Sequence, residues 1–126
     1  MGKRYLIDSN VIIDYLNGVL PERGKELLFA AEPIISIITQ IEISGYSKLS
    51  ELDKIKISEL IRSATIYDVD QQIATKTILI REDRKIKLPD ALIAATALHY
   101  NLTLVTRNVS DFDGIETLSV INPYSI

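Results

Sequence analysis

Cysteine does not occur in this sequence. Its absence removes disulfides, thiolate metal sites and a cysteine nucleophile together, and suits a cytoplasmic protein. Histidine is nearly missing as well: His99 stands alone, and neither it nor the serines compose a catalytic group. No apolar run approaches the roughly 20 residues of a membrane helix. The basic tetrapeptide MGKR at 1–4 opens no cleavable signal, because the apolar stretch behind it stops at Asp8. Repeats, low-complexity tracts and linkers are also lacking. A soluble, cytoplasmic protein with no membrane partner is the expectation. The charge balance, formally −3, lacks the basic excess of a strong nucleic-acid binder.

What is present is an ordered globular composition, 47% apolar and 25% charged over 126 residues. It is expected to fold as a single domain spanning 1–126. RYLID at 4–8 reads as a buried strand of a parallel sheet. Ser9 or Asn10 is placed to cap a helix with Val11, Ile12, Tyr15 and Leu16 on one face, stopped by Asn17-Gly18. A second helix follows Pro21, carries Leu27, Leu28 and Ala31, and is broken by Pro33. IISII at 34–38 reads as the second strand, and residues 39–47 as a helix bearing Ile41, Glu42 and Ile43.

Ser50 is placed to cap a helix over 51–64 with Leu52, Ile55 and Leu60 near one face. TIYDV at 65–69 reads as the third strand. Asp70 then caps a helix whose stripe is Ile73, Ala74, Thr77 and Ile78. EDRKIK at 82–87 is a polar, basic loop. Leu88-Pro89-Asp90 opens an apolar and therefore buried helix, with Pro89 at its first position, and Asn101 ends it. LTLVT at 102–106 and TLSVI at 117–121 complete the strands. Strands and helices alternating in this rhythm predict an α/β domain, a parallel sheet covered on both faces. Ligand sites of such sheets gather at the carboxyl ends of the strands.

Four acids come from four separate segments to that edge: Asp8 after the first strand, Glu42 early in the helix after the second, Asp90 in the first turn of the buried helix, and Asp111 after the fourth strand. Carboxylates brought this close repel one another, and burial adds to the cost. Either they do not all converge or a cation holds them. Oxygen donors without His or Cys suit hard ions such as Mg²⁺ or Mn²⁺. Such an ion favours hydrolysis of a phosphodiester by an activated water.

The segments LIDSN at 6–10, SIITQIEISGY around Glu42, PDALIAATA at 89–97 and TRNVSDF at 106–112 resemble, in order and spacing, the four motifs of PIN-domain ribonucleases, most closely the VapC-type toxins of toxin–antitoxin pairs. The likeness spans almost the whole chain. It implies a three-layer α/β/α PIN-like domain with a central, mainly parallel sheet of about five strands. It also implies a Mg²⁺- or Mn²⁺-dependent endoribonuclease whose metal-binding acids are Asp8, Glu42, Asp90 and Asp111. Asn10 matches the polar residue beside the first acid, and Thr106 and Asn108 the TxN of the last motif. Ser9 stands where the family more often has threonine; the hydroxyl is kept. Asp111 matches the motif's acid, with Asp113 close enough in sequence to assist. The implied partners are an RNA substrate, a small VapB-type antitoxin whose tail occludes the site, and a second copy in a homodimer. Ile55 and Ile57, on opposed parts of one helix, fit core on one side and partner contact on the other.

Each acid also has a plainer account. Asp8 and Asp90 can serve as helix-terminal carboxylates, Glu42 as a solvent-exposed helical residue, and Asp111 as part of an Asx turn. Asp14 reads as polar-face or supporting, Asp68 and Asp70 as caps, His99 as structural. The basic run Arg81, Arg84, Lys85 and Lys87 reads either as a solvated face or as a contact to phosphate. Setting the four candidate ligands aside leaves 13 of the 17 acids against 14 basic residues, so the acidity resides largely in the proposed site and does not exclude RNA. A receiver domain of a response regulator would need paired acids after the first strand and a lysine after the fifth. Here Asp8 is followed by Ser9, and the last lysine is Lys87. A housekeeping PIN nuclease and a catalytically silent PIN-like scaffold are the remaining alternatives, the latter disfavoured by the presence of all four acids.

Overall fold

The computed structural model describes residues 3–126; Met1 and Gly2, the first half of the basic tetrapeptide, lie outside the described residues. Short apolar strands make a parallel sheet here because each offers both faces to a helical layer. The strands are β1 (Tyr5–Ile7), β2 (Ile34–Ser36), β3 (Thr65–Tyr67), β4 (Thr103–Val105) and β5 (Val120–Ile121). Their order is β3-β2-β1-β4-β5, with every pairing parallel. Leu6 lies opposite Ile34 on one side and Leu104 on the other.

The alternation of side chains across this sheet builds two cores. Leu6, Ile34 and Leu104 point into a cluster with Ile93, Ala94 and Ala97. Their neighbours Ile7, Ile35 and Val105 point the other way, into a cluster with Val11, Ile12, Ile43 and Ile57. The first layer holds α5 (Gln71–Asp83) and α6 (Leu88–His99); the second holds α1 (Ser9–Leu16), α2 (Glu22–Phe29), α3 (Ile37–Ser44) and α4 (Glu51–Ser63). The expected three-layer arrangement is therefore present, with a sheet of five strands among the described residues. Alanines 91, 94, 95 and 97 are fully buried along α6, and their small side chains let that helix lie close to its neighbours.

Several boundaries differ from the sequence-based expectation, each for a local reason. The second strand stops at Ser36, whose hydroxyl accepts a bond from the Ile38 amide at 3.0 Å. This cap starts α3 two residues before the expected Thr39. Asp8, rather than Ser9 or Asn10, is the cap of α1. Lys87 is the cap of α6, so Pro89 stands at the second helical position. The α5 helix runs through Glu82 and Asp83, which shortens the expected loop. Helix α2 ends at Phe29, before Ala31. On α4 the buried residue is Ile57, while Leu52 and Ile55 are more than half exposed; Ile78 on α5 is exposed too. Ser50 and Asp53 form a reciprocal capping box at the start of α4. Asp70 caps α5 by accepting from the Ile73 amide at 2.9 Å.

No described helix is long and apolar enough to cross a membrane. The strand order reverses between β1 and β4, since β2 and β3 extend one way from β1, and β4 and β5 the other. That divide at the carboxyl edge is where open α/β sheets bind ligands.

Candidate active site

Asp8 follows the last residue of β1, and Thr106 the last residue of β4, so adjacent parallel strands deliver both to the same edge. Both are buried. The Thr106 hydroxyl donates to Asp8 Oδ2 at 2.9 Å, and the Ser9 amide donates to Oδ1 at 2.8 Å. Asn10 Nδ2 reaches Asp8 Oδ2 and the Thr106 hydroxyl, each at 3.2 Å. The Asn108 amide donates to the Thr106 hydroxyl at 3.1 Å. Ser9, Asn10 and Thr106 thus surround Asp8 with donors that fix its orientation, and Asn108 holds Thr106.

Despite these bonds the Asp8 carboxyl titrates above the ordinary 3.8: burial pushes it up, and the charge of Glu42 adds to that. Asp90 is raised as well, by burial first and then by the charges of Asp8 and Asp111, against a lowering by Lys87. Mutual repulsion therefore links all four acids that the sequence singled out. Glu42 and Asp111 are exposed, Asp90 is half-buried and Asp8 is buried. Asp111 sits in a short 3-10 helix (Val109–Phe112), its amide bonded to the Asn108 carbonyl at 3.1 Å. Phe112, buried in the core beside it, fastens that turn to the sheet.

Among the described residues, no three His, Cys, Asp or Glu side chains are grouped closely enough to hold a metal ion as they stand. The charge of Glu42 acts on Asp8, and the charges of Asp8 and Asp111 act on Asp90. The donor set is all oxygen, and two of its members, Asp8 and Asp90, are held above their ordinary range by burial first and then by neighbouring acids of the set. A hard divalent cation fits such a set, because it offsets the repulsion and takes carboxylates readily. Asp8, Glu42, Asp90 and Asp111 make up that set.

Asp113 is placed differently. Its carbonyl, with that of Gly114, accepts from the Arg84 guanidinium at 2.7 Å. Arg84 is thereby committed to holding this loop, while Lys87 acts on Asp90. The feature least visible in the sequence is Asp14. It is only 6% exposed, and Arg107 Nη1 reaches both its oxygens, at 3.0 and 2.9 Å. The Tyr124 hydroxyl donates to it as well. The sequence placed Asp14 on a polar face or in a supporting role; it is buried, and nothing in the sequence named either partner.

One concavity has none of the four acids in its lining. It is an apolar groove of about 430 Å³ bordered by Ile12 and Tyr15 of α1, Leu28 and Phe29 of α2, and Ile57 and Leu60 of α4.

The family model for the PIN domain matches residues 5–116. Among solved structures, the chain is 35% identical to a toxin–antitoxin complex from Klebsiella pneumoniae, with a TM-score of 0.79 over 97% of this chain and 99% of that one. It is 26% identical to VapBC2 from Rickettsia felis bound to a DNA fragment from its promoter, with a TM-score of 0.74 over 94% and 97%. VapBC-1 from nontypeable Haemophilus influenzae is similar at 27% identity, TM-score 0.74, again over 94% and 97%. No curated protein matches.

Proposed function

Because the chain belongs to the PIN-domain family, we propose that it is a Mg²⁺- or Mn²⁺-dependent endoribonuclease acting as the toxin of a VapBC-type toxin–antitoxin pair. The observation that carries this reading is Asp8, buried at the edge where the strand order reverses, with Asp8 and Asp90 held above their ordinary titration range by burial and by the charges of Glu42, Asp8 and Asp111. Asp8, Asp90 and Asp111 would hold the cation, with Glu42 assisting. When bound there, the ion supplies the charge that activates a water for attack on phosphorus and offsets the phosphate.

The chain's own contribution is orientation. Thr106 and Asn10 present Asp8 in a single pose through the bonds described above. Asn108 keeps the Thr106 hydroxyl turned toward Asp8 by donating to its oxygen, which leaves the hydroxyl proton for the carboxylate. Attack by water rather than by the ribose 2′-hydroxyl leaves 5′-phosphate and 3′-hydroxyl ends. Sequencing of the fragment ends tests this chemistry: 2′,3′-cyclic phosphates would contradict it.

The partner half of the proposal is supported by the relatives, which are toxin–antitoxin complexes by name. An antitoxin helix with an apolar face suits the groove between α1, α2 and α4. A second copy is expected to cover exposed apolar residues of α4, Leu52 and Ile55, both more than half exposed. Purification from its native cells should yield the protein in an inactive complex with a small VapB-type partner. A protein that purifies alone, as a monomer, would count against both partners.

A further inference from the structure

We propose that Asp14, Arg107 and Tyr124 form a positioning network that sets the Asn10 carboxamide, and through it Asp8, for binding the cation. The inference rests on the nuclease reading. It starts from Asp14, a carboxylate nearly excluded from water on α1. A buried charge of this kind persists only when it is paired and hydrogen-bonded. Here the Arg107 guanidinium supplies the charge, and the Tyr124 hydroxyl supplies a further donor.

Arg107 is held at two ends. Its side chain is tied to Asp14, and its backbone N–H donates to Asn10 Oδ1 at 3.0 Å. Because Oδ1 is occupied by that donor, the amide nitrogen of Asn10 must face the other way, toward Asp8 Oδ2 and the Thr106 hydroxyl. A continuous chain of bonds therefore runs from Tyr124 through Asp14, Arg107 and Asn10 to Asp8. Outer partners of this kind orient ligands and tune their basicity.

Tyr124 is itself firmly placed. Its amide donates to Asn122 Oδ1 at 2.9 Å, and Pro123 beside it is fully buried. Gly24 of α2 makes room for this segment, since a Cβ there would stand 2.8 Å from the Pro123 carbonyl oxygen. Burial, and then the bond to Asp14, push the Tyr124 hydroxyl up to about 12, so it remains a donor at neutral pH.

The test compares Tyr124→Phe, Asp14→Asn, Arg107→Ala and Arg107→Lys in the full chain. Free Mn²⁺ is counted by electron paramagnetic resonance, and kcat and KM are measured on RNA. The network predicts Mn²⁺ binding weakened about 10-fold, a lower kcat and an unchanged KM, with Arg107→Lys recovering part of what Arg107→Ala loses. Tyr124→Phe removes only a hydroxyl, so a native melting transition with weakened Mn²⁺ binding is the decisive outcome. Variants that bind Mn²⁺ as tightly as the wild type overturn the network. So does Arg107→Ala changing only KM and its salt dependence, which would make Arg107 a contact to the RNA backbone. A wild type that neither binds Mn²⁺ nor cuts RNA would instead remove the nuclease reading, and the network with it.

Discussion

Asp8 is stabilised and destabilised at once. Three donors favour its charge, while burial and neighbouring acids oppose it, and the opposition prevails. Asp90 is raised by the same causes. A raised carboxyl keeps its proton in the folded protein where the unfolded chain has already released it. The metal-free protein therefore loses stability from these groups as pH rises from 3.8 through the raised values. Asp90→Asn removes one of the charges. Without metal, this variant is expected to melt above the wild type at pH 7, with the gap closing toward pH 4. Thermal melts at both pH values check this, and an equal gap at the two would contradict it. Its catalytic loss should exceed the roughly 10–100-fold that losing an outer partner costs. The acids themselves were legible as candidates because each lies in a recognisable motif, although Glu42 falls in the last turn of α3 rather than early in that helix. The partners of Asp14 were not. Arg107 is 93 residues away and Tyr124 is 110 residues away along the chain, and only the folded sheet brings them together.

Ser36 shows how one hydroxyl positions an element. The run IISII gives no sign of where strand becomes helix, since isoleucine suits a buried position in either. The serine decides it by capping α3, the helix that carries Glu42. Ser36→Ala should cost about 0.5–2 kcal/mol of stability and also lower the cleavage rate, because Glu42 moves with the helix end. Ser50→Ala, in the capping box of α4, should cost a similar amount and leave cleavage intact. Urea melts beside initial rates separate the two cases; equal rates for both variants would deny α3 its positioning role. Helix α4 was harder to orient from sequence. Leu52, Ile55, Ile57 and Leu60 lie all around it, and only Ile57 is fully inside. Periodicity alone cannot rank apolar residues when a helix also presents an apolar face outward.

At the scale of the molecule, the parallel sheet is the device that turns separated motifs into one site. Strand alternation was legible and gave the layers. The strand order was not, because short apolar strands pair equally well in several orders, and crossover packing selects among them. With β1 and β4 adjacent, Asp8 and Thr106 meet. A cation that binds there and not to the unfolded chain stabilises the fold by mass action, about 2.7 kcal/mol at a hundredfold excess over Kd. Mn²⁺ should therefore raise the melting temperature at pH 7, and less so near pH 4, where protons compete for Asp8 and Asp90. Equal shifts at both pH values would place the ion elsewhere. The most direct measurement is cleavage of a mixed pool of structured RNA by the partner-free protein in Mg²⁺ or Mn²⁺, in EDTA, and by Asp90→Asn. The account predicts defined fragments that require metal and vanish with the substitution. Cleavage that persists in EDTA, or in Asp90→Asn with metal, would contradict it.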